Sequence, residues 1–220
     1  MGSVAAWANL VKRGHDDHFW PDHRINNGRI NMNQSRIVEE PGMGLVEAFA
    51  LPVEEETLFA LCRDAFETHW DEIVFGTHIQ GAVFEIRAPN PPRKVALLDG
   101  YLTVDFGPWH FHVCIGPHKG TKTNPTDPDL ARIRRTSRAE FYRVLDGPDG
   151  KGKSWGIRLF NGQDQQQMTI FLPNPFLSKD GTKILKQPDW SHLALWDALR
   201  QKYLALEPDE RDRGGKGFRH

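Results

Sequence analysis

Between Trp109 and Gly116 the chain reads WHFHVCIG. Trp109, Phe111, Val113 and Ile115 are large and apolar, while His110, His112 and Cys114 carry atoms able to bind a transition metal. Such alternation is the pattern of a β-strand, whose successive side chains leave opposite faces. The stretch closes a longer period-two region in which KVALL, YLTVDF and WHFHVCI are separated by Asp99-Gly100 and Gly107-Pro108. Asp-Gly between apolar runs signals a type I′ turn. Strands over 94–98, 101–106 and 109–115 therefore form an antiparallel meander. A two- or four-residue connection at Gly107-Pro108 sets Asp105 opposite His110, Thr103 opposite His112 and Tyr101 opposite Cys114.

Further strands are predicted at 44–51 (GLVEAFAL), 81–88 (GAVFEIRA) and 139–145 (AEFYRVL). SWGIRLF and QQQMTIFL pair around Asn161-Gly162. A four-residue loop there sets Trp155, Ile157 and Leu159 beside Ile170, Met168 and Gln166. The period changes to 3.6 after Pro52. Glu54, Glu55 and Glu56 open a helix, where acidic groups suit the positive end of the dipole, and Leu58, Cys62, Ala65, Phe66, Trp70 and Ile73 form its apolar stripe. Pro128 after Asp127 starts a short helix, and 188–206 is amphipathic through Leu193, Trp196, Leu199 and Tyr203. Grouped strands flanked by two or three helices define an α+β fold with a mainly antiparallel, curved sheet. Residues 1–43 read as a loop-rich extension, 44–206 as a single domain, and 207–220 as a charged, flexible tail.

Composition narrows the function. Of 220 residues, 39% are hydrophobic and the formal charge is −1, which opposes nucleic-acid binding. There is no run of about 18 apolar residues to span a membrane, and no secretory leader pattern. Two cysteines are too few for a disulfide framework, so reduced thiols and a cytoplasmic setting are expected.

The polar face of the meander carries the candidate chemistry. Solvated strand faces ordinarily hold Lys, Glu, Asp and Arg, and an ordinary wet face remains the bland alternative. His110 and His112 suit a divalent transition metal, iron or zinc, with Asp105 as a third ligand or as a group orienting His110. His78, His118 and Glu85 are further candidates for the coordination shell. Arg158 is a candidate clamp for a substrate carboxylate, and Arg132, Arg134, Arg135 and Arg138 form a basic cluster. Cys114 as a nucleophile is disfavoured, since it lies parallel to the histidines on one strand face. His15, His18 and His23 sit in irregular loop spacing, and a solvent role fits them better than ligation. The leading expectation is a metal-dependent enzyme acting on a small molecule, with Asp105 and Arg158 as its catalytic groups. The alternatives are a non-catalytic small-molecule or anion-binding protein, and a haem protein with a histidine axial ligand. A homodimer is compatible with each.

Overall fold

The computed structural model describes residues 35–79, 81–147 and 150–218; His15, His18 and His23 lie outside them. Its largest layer is a six-stranded antiparallel sheet in the order β1-β2-β9-β10-β11-β3. Its strands are β1 (Ser35–Glu40), β2 (Gly44–Leu51), β3 (Val74–Gly76), β9 (Arg138–Asp146), β10 (Lys151–Phe160) and β11 (Gln166–Phe171). A short hairpin joins β4 (His78–Ile79) to β5 (Ala82–Val83). A separate three-stranded sheet holds β6 (Lys94–Leu98), β7 (Tyr101–Asp105) and β8 (His110–Cys114). The helices are α1 (Glu55–Arg63), α2 (Pro128–Arg134) and α3 (Ala194–Leu204). The α+β class with a mainly antiparallel sheet is thus observed.

One face of the large sheet supplies Phe49, Phe141, Trp155, Ile157, Leu159 and Ile170 to the core. They share it with Leu58 and Leu61 of α1, Trp196 and Leu199 of α3, and Leu102, Val104, Phe106, Val113 and Ile115 of the meander. Each such side chain removed from water contributes about 1.5–3 kcal/mol. Helix α1 carries Glu55 and Glu56 in its first turn and Arg63 in its last, as the dipole favours. It then widens into a π-helical turn, Asp64–Thr68, which delivers Phe66 onto Phe75 at 4.9 Å and Phe111 at 5.3 Å.

The meander has the predicted register: Leu98 pairs with Tyr101, and Tyr101, Thr103 and Asp105 pair with Cys114, His112 and His110. Asp99 (φ 47°) and Gly100 (φ 77°) make the tight turn, both in the left-handed region that a type I′ turn requires.

Four expectations change. GAVFEIRA is a strand only at 82–83, with one further bridge from Ile86 to Phe75. The chain crosses β3 so closely that a Cβ at Gly76 would lie 1.6 Å from the Phe84 carbonyl oxygen, so its alternation serves a crossing rather than a long ladder. The β10–β11 hairpin pairs Ile157 with Ile170 and Leu159 with Met168, then bulges at Phe160 and Gln166. That is two residues from the predicted register but has the same inward face. Asn161 causes the shift: its side-chain oxygen accepts from Gln163 N and Gln165 N, building a five-residue loop from 161 to 165. Residues 35–40, read as loop, form an edge strand whose Arg36, Glu39 and Glu40 hide its period.

The fourth change is the charged tail, which docks. Asp212 is fully buried and accepts from Trp155 Nε1 at 2.7 Å, Trp196 Nε1 at 2.9 Å and Arg143 Nη1 at 2.8 Å. Arg143 is itself buried and also bonds Glu47 Oε2 at 2.7 Å and Asp209 Oδ2 at 2.6 Å. Charge alone suggested mobility, but these carboxylates are counter-ions to arginines inside the fold.

Candidate functional site

The outward face of the meander is a grid of three rows: Lys94, Asp105 and His110; then Ala96, Thr103 and His112; then Leu98, Tyr101 and Cys114. His110 and His112 are exposed, with ring centroids 5.0 Å apart and planes at 71°. Thr103 Oγ1 lies 2.7 Å from His112 Nδ1. That bond orients the ring and engages Nδ1, so Nε2 is the ring nitrogen not already hydrogen-bonded. The orienting group is therefore a threonine hydroxyl on His112, which the sequence reading passed over. The signal was available in the register, where a hydroxyl faces an imidazole.

Asp105 stays opposite His110, but its Oδ1 accepts the Gly107 N–H at 2.7 Å and so closes the β7–β8 turn. His118 sits by the row of Tyr101, with Nδ1 3.0 Å from Asp99 Oδ2 and its ring edge-on to Tyr101 at 4.8 Å. The N–H groups of Lys119 and Gly120 donate to Asp99 and hold its carboxyl below the usual range. His118 thereby fastens the loop after β8 to the β6–β7 turn. Cys114 is buried, which pushes its thiol up despite the Tyr101 hydroxyl and the charge of Arg134. Both cysteines are free, and burial pushes Cys62 up to about 12, so neither is an activated nucleophile.

His78 and Arg158 meet elsewhere, on the opposite face of the large sheet. With Glu85, Tyr142 and Thr169 they line a cleft under the β4–β5 hairpin. Its interior of about 20 Å³ has room for about one water molecule. The Arg158 fork is already engaged, with Nη1 and Nη2 on Glu40 at 2.7 and 2.9 Å and Nη2 on Glu140 at 2.5 Å. Its guanidinium also stacks over Tyr142, 4.5 Å from the ring centre. Glu140 takes two further arginines, Arg36 and Arg138, each at 2.7 Å. Of the basic cluster, Arg138 is thus an internal partner, while Arg132 and Arg134 remain exposed. Among the described residues no group of three or more His, Cys, Asp and Glu is placed to hold a metal ion. The structure brings His110 and His112 together, keeps Asp105 on the same sheet and His118 in the loop beside it in other bonds, and sends His78 and Arg158 to another face.

Residues 35–205 match a family of unknown function (DUF7676), and the chain belongs to that family. No curated protein matches it. Among solved structures it is similar to a protein of Agrobacterium tumefaciens at 15% identity and TM-score 0.43, covering 71% of each chain. It is similar to the haem-binding protein ChuX at 13% identity and TM-score 0.41, covering 70% of this chain and 76% of that one. A protein of Erwinia carotovora aligns at 14% identity and TM-score 0.38, covering 73% and 76%. At these scores the likenesses carry no argument about a ligand.

Proposed function

We propose that the protein is a non-catalytic small-molecule-binding protein, that its ligand lies on the outward face of the meander, and that haem is the ligand this face fits. The observation that carries the reading is the 2.7 Å hydrogen bond between His112 Nδ1 and Thr103 Oγ1, which orients an exposed imidazole; with Nδ1–H donating to the hydroxyl, Nε2 is the nitrogen left to ligate. Two imidazoles fall short of the three or four protein ligands a zinc ion takes. Haem iron already has four porphyrin nitrogens and asks the protein only for an axial ligand, commonly histidine. Leu98, 78% exposed, and Ala96 offer apolar contact to a planar ring. Lys94 and Arg134 stand at opposite ends of the grid to meet acidic substituents. The enzyme reading loses support because Asp105 closes a turn and the Arg158 fork is occupied by carboxylates.

The test is a hemin titration of the full chain followed by visible absorption. A shifted, saturable Soret band is expected, lost in His112→Ala and weakened about tenfold in Thr103→Val, since outer partners of a ligating histidine carry effects of roughly 10–100-fold. An unshifted band, or one unaltered in a His110→Ala/His112→Ala double variant, sinks the proposal. Stoichiometric zinc or iron retained without a Soret band would return the face to the bare-ion reading.

A further inference from the structure

Strand β8 carries the exposed His110 and His112, and it is also an edge. It pairs with β7 alone. Phe106 N donates to Trp109 O, and Ile115 N donates to Gly100 O, so Trp109, Phe111, Val113 and Ile115 direct their backbone groups toward β7. By alternation His110, His112 and Cys114 direct theirs to the open side. The Cys114 carbonyl is taken there by Thr136 N at 2.8 Å. The amides and carbonyls of His110 and His112 have no hydrogen-bond partner among the described residues.

Natural edge strands are protected by lysine, proline, charge or a bulge. The β1 edge has Arg36, Glu39 and Glu40, and β6 begins at Lys94 just after two prolines and an arginine. HFHVC has none of these between its first and last residue, and it pairs with β7 without a bulge.

From this we infer that two copies of the chain pair through β8, and that the second copy completes the ligand site. An antiparallel two-fold centred on Phe111 sets His110 against the partner's His112 and His112 against the partner's His110. Both residues of each pair point N–H and C=O at the other strand, so each histidine pair closes both of its hydrogen bonds; the ladder stops short of Cys114, where Thr136 already sits. The side-chain period then fixes the faces. Phe111, half-buried and packed on Phe66 and Phe75, meets its own copy on the core side. Four imidazoles stand together on the outward side, with directly opposed Cβ atoms about 4.5–5.5 Å apart. A second copy is the occupant this edge selects. The same sequence, run antiparallel, presents apolar groups inward and ligating groups outward in register.

The inference rests on the haem reading only for the identity of the ligand. A planar ligand on one imidazole covers the neighbours, so it predicts one hemin for every two chains rather than one for each.

A matched pair of variants tests the interface apart from the ligand. His110→Ala and His110→Pro both remove the imidazole, but only proline removes the outward N–H. That N–H is not part of the β7–β8 ladder, so both variants keep the fold, which circular dichroism checks. Light scattering on the full chain should give twice the 25.1 kDa chain mass for wild type and His110→Ala, and a single chain mass for His110→Pro. Hemin should saturate wild type at one per two chains. A wild type that is monomeric with and without hemin overturns the inference, and so does a His110→Pro dimer as stable as that of His110→Ala. One hemin per chain on a monomer would overturn the pairing while leaving the haem reading intact. A β8-dependent dimer with no Soret shift would keep the pairing and remove haem as its ligand.

Discussion

At the scale of single residues, Asp212 shows how far sequence context can mislead. It stands in the run EPDERDR, which looks solvated, yet two indole N–H groups and a buried guanidinium close on its carboxylate. Arg200 lies nearby at 3.3 Å, and its own burial pushes its guanidinium down from the ordinary value. Removing the acid would leave Arg143 and Arg200 in the core short of a counter-charge, and breaking a buried pair in this way costs about 3–5 kcal/mol. Asp212→Ala is therefore expected to lower the unfolding free energy measured in urea by that amount, with the midpoint falling in proportion. Asp212→Asn, which keeps one acceptor oxygen for the indoles, should lie between it and wild type. Equal stability of Asp212→Ala and wild type would show that the arginines find other partners.

At the scale of elements, the meander depends on its first turn. Gly100 has φ 77°, and a Cβ there would approach Pro117 O at 2.5 Å and Gly116 O at 2.6 Å. Gly100→Ala thus combines an unfavourable backbone region with a clash against main chain, each worth about 1–3 kcal/mol. Thermal unfolding should show the loss, and hemin affinity should fall with it because the three grid rows are set by this turn. Unchanged unfolding would mean that the turn relaxes at no cost. The same element marks what was legible in the sequence. Asp-Gly and strict alternation specify the pairing of Thr103 with His112 because both are local signals. The β10–β11 register was missed by two residues because Asn161 folds the loop through its own side chain, which apolar spacing does not report. Strand β1 was hidden because an edge with charged neighbours has no apolar period. His78 and Arg158, 80 positions apart, meet only through the strand order, which no local pattern encodes.

At the scale of the whole molecule, paired carboxylates on both faces of the large sheet set the response to acid. Burial alone would raise the Glu140 carboxyl, but Arg158 and Arg138, with Arg36, hold it below its ordinary value. A carboxyl lowered in the folded state binds fewer protons than in the unfolded chain. Its contribution is complete above the ordinary glutamate value of about 4.3 and is lost as pH falls through the lower folded value. Asp209 is lowered in the same sense, against its own burial, by the Arg211 N–H and by Arg143. Stability measured by denaturant should be level in this respect at neutral pH and fall on acidification below that region. Glu140→Gln should be less stable at neutral pH and less steep in acid. An acid limb of the same slope in the variant would assign the response to other carboxylates.

The docked acid also has a consequence for how the chain is made. Arg143 waits 69 positions for Asp212, and Glu47 lies 96 positions before Arg143. A chain leaving the ribosome in order would hold β2 and β9 long before the last counter-ion emerges. Until then, burying Trp155 and Trp196 leaves two indole donors facing a charge still to be synthesised. The core is therefore expected to close late, once Asp212 is free to dock, so a released chain ending before Asp212 should be far more sensitive to protease than the full chain.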